Sequence, residues 1–306
     1  MRNLAGAVSP EEPDDPPIIS LPVRFWRGFG GDMKEMFLQR DLLRAFIFRE
    51  FRIRYKGARL GWVWALAKPL VMLFIYALAV GVFLGAGKAV PQFAIYLFVG
   101  LIAWGLFAQI VIGSITALVL NADLIRKAAF PRELLIVAVI ATALFDFLIQ
   151  GLVLTFGYFF YGSWPAWQNL WWVVPALILT VLFGAAFGLL LSAANASLRD
   201  VGFLTEVAMQ VAFWLVPVIY AYSAVKTAFT NYPFLDWLYL ANPVTIALFG
   251  FRNALWPPAM SSEGDSFGLQ SGLGRHFVIL TLAGIAFAFA SQRFFAIRAA
   301  NMAQDL

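Results

Sequence analysis

Residues 93–120 read FAIYLFVGLIAWGLFAQIVIGSITALVL, a run with no Asp, Glu, Lys or Arg anywhere in it. A helix needs about 20 mostly apolar residues to cross the roughly 30 Å hydrocarbon core of a bilayer, so this run spans with room to tilt or to continue past the membrane. Its apolar residues are consecutive and do not alternate with polar ones, which excludes the two-residue period of a transmembrane barrel. Outward along the chain, comparable runs occur at 62–84, 134–160, 171–193, 203–222 and 276–296. The sequence therefore predicts an all-α polytopic membrane protein with six transmembrane helices.

Composition bounds the chemistry. Only 13% of the 306 residues are charged and the mean hydropathy is +0.80, whereas a water-soluble domain carries about 25% charged residues to wet its surface. Cysteine is absent and His276 is the single histidine, so neither a disulfide framework nor a thiolate or histidine metal centre is expected. Residues 1–20 are polar, proline-rich and acidic, which places a disordered cytoplasmic extension over 1–40. With the N-terminus inside, 18 of the 22 lysines and arginines fall on the inner side; only Lys88, Lys226, Arg252 and Arg275 fall outside. That asymmetry puts both termini, including the 299–306 tail, in the cytoplasm. The net charge of +5 follows from it and gives no support to nucleic-acid binding.

Three segments are neither ordinary spans nor short loops. Residues 41–59, DLLRAFIFREFRIRYKGAR, place Leu42, Leu43, Phe46 and Ile47 on one apolar side of a helix, with Arg49, Arg52 and Lys56 on a basic stripe opposite. Such a helix suits the cytoplasmic headgroup layer, where each cation gains about 1 kcal/mol from anionic lipid; a plain basic flank is the alternative. Residues 121–133, NADLIRKAAFPRE, read as a short helix across the cytoplasmic face, with Pro131 and Glu133 suited to the first turn of the span that follows. Composition leaves open whether it docks a partner or is only a turn. Residues 223–275 form a long outer segment whose stretch 234–256, FLDWLYLANPVTIALFGFRNALW, is two apolar pieces broken at Asn242–Pro243. Each is about half a bilayer long, as re-entrant or interfacial helices are.

Polar residues inside the runs have two readings. Asp146 and Gln150 share a helix face in the third run, and Glu206 and Gln210 repeat the spacing in the fifth. They fit hydrogen bonds between helices, or a polar pathway, since a charge at mid-bilayer costs at least ~2.5–3.5 kcal/mol unless it faces protein or water. Phe74, Trp104, Phe107, Phe213 and Trp214 lie within runs. They fit the lining of a polysaccharide path, because sugars stack on aromatic faces, and equally fit lipid contact or helix packing. Gly81/Gly85 and Gly184/Gly188 have the spacing that lets helices approach closely, here expected within the chain.

No ATP-binding motif is present. Gly85-Ala86-Gly87-Lys88 comes nearest, but Val82 stands where the first glycine belongs and Ala89 where Ser or Thr belongs. A membrane glycosyltransferase or polymerase would need a carboxylate or basic cluster in an aqueous loop. An ion-coupled flippase would need an embedded acid–base pair. Neither is visible. A purely structural scaffold would leave the basic amphipathic helix and the half-length helices unexplained.

The order of segments resembles a known family. Arg49-Glu50-Phe51-Arg52-Ile53-Arg54-Tyr55-Lys56, then Leu60-Gly61-Trp62-Val63-Trp64 through Lys68-Pro69-Leu70, then Leu124-Ile125-Arg126-Lys127 with Phe130-Pro131-Arg132-Glu133, are similar to the permease subunits of ABC-2 polysaccharide exporters. Asn195 with Arg199-Asp200, Pro217-Val218-Ile219-Tyr220, and Asn242-Pro243 with Arg252 continue the likeness, which covers about residues 41–298. The resemblance implies an ABC-2 permease fold over 41–298 and a homodimer paired with two ATP-binding subunits that carry the ATP and Mg; this chain itself holds no cofactor. It implies an interfacial helix at 41–59 and a coupling helix at 121–133 that docks into the ATPase. Periplasmic gating helices are implied at 223–258, with Pro217, Tyr220, Asn242, Pro243 and Arg252 at the outer gate. The implied cargo is a lipid-linked polysaccharide, O-antigen in the first place, with capsule or teichoic acid as alternatives, crossing the bacterial inner membrane.

Overall fold

The computed structural model describes residues 40–55, 63–127, 130–260 and 272–299. Lys56 and the end of the expected surface helix, Ala128–Ala129, the extension up to residue 39, loop residues 261–271 and the tail from 300 lie outside the described residues.

Among the described residues the elements are helical. In chain order they are α1 (Arg40–Tyr55), α2 (Val63–Tyr76, passing into a π-helical stretch Ala77–Phe83), α3 (Ala86–Ala89), α4 (Phe93–Leu120), α5 (Ala122–Lys127) and α6 (Glu133–Tyr161). A 3-10 stretch Trp167–Trp172 leads into α7 (Val173–Ser197), followed by α8 (Asp200–Leu215), α9 (Tyr222–Ala228), α10 (Pro233–Leu240), α11 (Pro243–Leu255) and α12 (Leu273–Ala299). Five helical stretches are long and apolar enough to cross a membrane: Leu66–Phe83, Phe93–Leu120, Glu133–Tyr161, Trp167–Ser197 and Leu273–Arg298. A sixth is reached if α10 and α11, bent by 73° at Asn242–Pro243, count as one broken span. The run expected to span at 203–222 behaves differently. Its helix, α8, has 16 residues, about 24 Å at 1.5 Å per residue, against roughly 30 Å of hydrocarbon.

Pro217 explains where α8 stops. It has no N–H, its ring clashes with the preceding turn, and the residue before it is pushed out of helical geometry. Val216 is accordingly extended (φ −101°, ψ 140°), and the Val218 N–H turns back to the Val216 carbonyl at 2.7 Å.

Helix α4 is the central post. Of its apolar stretch 67% is buried, against 6% for that of α2. It packs on α6, α7 and α11, and α7 packs in turn on α12. The α4–α7 approach depends on small residues: a Cβ on Gly184 would sit 3.0 Å from Ile110 Cγ2, and one on Gly188 2.6 Å from Ser114 Oγ. The expected close packing within the chain is therefore real at that pair. Gly81 presses on the Phe93 ring, whereas Gly85 occupies a turn with nothing within 4 Å of its Cβ position.

The two ends of the bundle differ. At the α5 end a compact cluster joins Phe46, Leu118, Ile125, Leu134, Leu135, Ala193, Ala196 and Phe295. At the far end, α11 is buried along most of its length among α4, α7, α12 and the Trp167–Trp172 stretch.

Candidate functional site

Interrupting α8 leaves carbonyl groups without helical partners, and at membrane depth such groups must be satisfied inside the protein. Side chains from two other elements and one from the break itself do this. Arg252 of α11 donates from Nη2 to the Val218 carbonyl at 2.7 Å. The Tyr96 hydroxyl of α4 donates to the Tyr220 carbonyl at 2.9 Å. The Tyr220 hydroxyl reaches back to the Trp214 carbonyl at 2.7 Å. Val216, Val218 and Ile219 are buried, so the break is wrapped by the chain itself.

Arg252 is 1% exposed. An arginine stays cationic even when desolvated, and taking its charge out of water costs several kcal/mol unless it is compensated. The compensation here is a ring, not a carboxylate: its Cζ lies 3.6 Å from the Tyr96 ring centroid, a geometry worth about 2 kcal/mol or more away from solvent. Its Nε is buried without a hydrogen-bond partner. Gly100 makes room for the arrangement, since a Cβ there would stand 2.7 Å from the Val218 carbonyl oxygen and 3.1 Å from Arg252 Nη2.

Beyond the break, Tyr222 stands at the junction of the outer helices. Its ring stacks on Tyr239 (centroids 5.9 Å apart, planes at 14°) and packs on Phe249 at 5.3 Å. Its hydroxyl donates to Asp236 at 2.5 Å, and the Tyr239 hydroxyl meets that of Tyr220 at 3.3 Å. Asn242 caps α11 by accepting from the Val244 N–H at 3.0 Å, with Pro243 in the first turn.

At the opposite end, α5 buries Ile125 and leaves Arg126 and Lys127 exposed. Phe130 packs at a tilt on Phe46 of α1 with centroids 5.1 Å apart, and Phe51 meets Phe145 edge-on at 4.9 Å. The apolar side of α1, with Leu42, Leu43 and Ile47, thus rests on α6 and the loop, while Arg49 and Arg52 face outward. Leu124 packs on the same cluster. Pro131 leads into α6, where Glu133 accepts from Gln292 of α12 at 3.2 Å. Arg132 is half-buried, with Nη1 lacking a partner; burial weakens its hold on its proton, and the neighbouring Glu133 opposes that. The α7–α8 corner is fixed by Asn195, which accepts from the Gly202 N–H at 2.8 Å.

The aromatic residues divide. Phe213 of α8 bridges Trp104 of α4 (5.7 Å) and Tyr76 of α2 (5.8 Å). Phe74 and Trp214 point away from the bundle. Phe107 is turned into the core against Phe187 at 6.2 Å. Asp146 accepts from Gln109 at 2.6 Å between α6 and α4, while Glu206 and Gln210 lie on the outward face of α8.

Residues 41–256, from α1 through the whole of α11, match the family described as ABC-2 type transporter. This chain belongs to that family. The ABC-2 chain is 31% identical over 195 residues to the O-antigen export system permease protein RfbA of Myxococcus xanthus, covering 63% of this chain and 74% of that relative. It is 24% identical over 246 residues to a protein of the same name from Klebsiella pneumoniae, covering 80% and 90% of the two chains. A second Klebsiella pneumoniae protein of that name is 25% identical over 246 residues. An ABC-2 chain with five or six apolar spans is a multi-pass membrane protein and a transport subunit.

Of the residues expected at an outer gate in this ABC-2 chain, Tyr220 and Arg252 are brought together around the break at Pro217. Asn242 and Pro243 stand at the separate 73° bend. Tyr96, Gly100, Tyr222, Asp236 and Tyr239 complete the network and were not singled out from sequence. The signal for two of them was present, because Tyr96 is a polar tip in an uncharged run and Asp236 an acid in an apolar half-helix.

Proposed function

We propose that this chain is the permease subunit of an ATP-driven exporter that carries a lipid-linked polysaccharide, O-antigen, across the bacterial inner membrane. The observation that carries the reading is the family match from α1 to the end of α11, joined to relatives named as O-antigen export permeases. Two copies pair with two separate ATP-binding subunits, which hold ATP and Mg. The lysine and arginine asymmetry favours both termini in the cytoplasm, with α5 on the cytoplasmic side and the α10–α11 pair on the periplasmic side.

Leu124, Ile125, Arg126, Lys127, Phe130, Pro131, Arg132 and Glu133 form the docking element for the ATPase. Its support is the seating of Ile125 and Phe130 against Phe46, which gives α5 a firm base while its cations stay outward. A push on α5 then reaches α6 and α1 as a body. Arg49 and Arg52 hold α1 in the anionic headgroup layer. Pro217, Tyr220, Asn242, Pro243 and Arg252 build the outer gate. Trp104 and Phe213, with Phe74 and Trp214 on the adjoining outward surfaces of α2 and α8, offer stacking faces for sugar rings; Phe107 contributes from behind as packing.

The test is reconstitution. Lipid-linked glycan should reach the outer side only when a cognate ATPase is co-expressed and ATP is supplied. Export by the permease alone sinks the reading.

A further inference from the structure

The outer helices are held with unequal firmness. Both ends of the excursion 223–241 are anchored. On one side Tyr222 is buried in the core next to the clamped break. On the other side the C-terminal end of α11 is tied: Arg252 to the Val218 carbonyl, Asn169 to the Asn253 carbonyl at 3.1 Å, the Tyr158 hydroxyl to the Leu255 carbonyl at 2.5 Å, and Trp256 Nε1, just past the helix, to the Pro91 carbonyl at 3.1 Å. These four ties, together with the burial of residues 245–252, make α11 a fixed post.

Between those anchors the chain is loosely seated. Phe234 is 68% and Trp237 63% exposed, and Leu235 and Leu238 also face outward. What faces inward from α10 is Asp236, Tyr239 and Leu240. Their partners are the Tyr222 hydroxyl for Asp236, the Tyr222 ring and Tyr220 hydroxyl for Tyr239, and the apolar core for Leu240. A bent junction at Asn242–Pro243 supplies a hinge, since element-terminal residues absorb the dihedral change of such motions.

We propose that residues 223–241 are the moving flap of the outer gate, and that the Tyr222 hydroxyl on the Asp236 carboxylate is its releasable latch. The proposal rests on the gate reading given above and adds which part moves and what holds it. A hydrogen bond from a hydroxyl to a carboxylate is short and about twice as strong as a neutral one; once it breaks, what still seats α10 is Tyr239 and Leu240. The Arg252 ties cannot be released so cheaply, because they would leave a buried cation and a buried carbonyl unpaired. Motion therefore falls on the flap, and α11 stays.

The absence of cysteine makes a single introduced thiol unique. A spin label on Leu238→Cys, in the full exporter with its ATPase in proteoliposomes, reports the mobility of α10 in the resting state and sets the parent spectrum. Adding Tyr222→Phe, which keeps the ring and removes the hydroxyl, should raise the mobile fraction several-fold. Asp236→Ala should do the same, while Asp236→Asn, whose amide oxygen still accepts but carries no charge, should fall between the parent and Asp236→Ala. Spectra unchanged in both Tyr222→Phe and Asp236→Ala overturn the latch. Export measured on the same vesicles separates the two ideas: a mobile flap with unaltered, fully ATP-dependent export supports the latch and rejects the gate reading.

Discussion

The Arg252 guanidinium and the Val218 carbonyl, 34 residues apart in the chain, meet at 2.7 Å inside the protein. The contact joins α11 to the point where α8 gives way, with the Tyr96 ring closing over the cation. It is a side chain completing a backbone that proline interrupted.

Replacing Arg252 by Met keeps most of the bulk and leaves the Val218 carbonyl without its donor. An orphaned buried carbonyl costs about 1–3 kcal/mol. The variant should lose thermal stability in detergent by that order, measured as the temperature at which the monodisperse size-exclusion peak is lost. An unchanged midpoint would mean the contact is incidental.

Gly100 and Gly105 lie on the same helix and make a matched pair. A methyl at Gly100 collides with the Val218 carbonyl and Arg252, whereas one at Gly105 meets nothing within 4 Å. Gly100→Ala should destabilise by roughly 1–3 kcal/mol, the usual effect of overpacking, and Gly105→Ala should be neutral in the same assay.

Reversing Arg126 and Lys127 to Glu leaves the buried Ile125 and the Phe46–Phe130 contact in place. Membrane insertion should be unaffected while copurification of the ATP-binding subunit falls several-fold. Deletion of 126–133 should abolish it. A complex retained at parental yield after the deletion refutes the docking assignment.

Asp146 serves as a hydrogen-bond acceptor for Gln109. Asp146→Asn preserves an acceptor and should keep export within about twofold, a difference of less than ~0.5 kcal/mol in transport barrier. A well-folded Asp146→Asn protein exporting tenfold more slowly would show that the ionisable group takes part in transport.

The sequence made the apolar runs of α4, α6, α7 and α12 plain because hydropathy is a sum over residues, and those helices are uninterrupted. The same sum is blind to backbone geometry. Pro217 is one residue in an apolar stretch, so 203–222 reads as a span although its helix ends at Leu215. The amphipathic α1 was legible from the side-chain period, as Phe46 and its neighbours do face the protein. The Arg252 site was half legible. An arginine in an apolar half-helix stands out, but its partners are a carbonyl and an aromatic ring 156 positions away, and no charge pattern marks either. The Tyr222–Asp236 pairing depends on how two short helices fold back on each other, which composition does not encode.

Helix α11 is enclosed by α4, α7, α12 and the Trp167–Trp172 stretch. That end of the bundle is therefore filled with side chains around α11. On the proposed function, cargo would pass along the flank of the bundle, and a second copy would supply the facing wall.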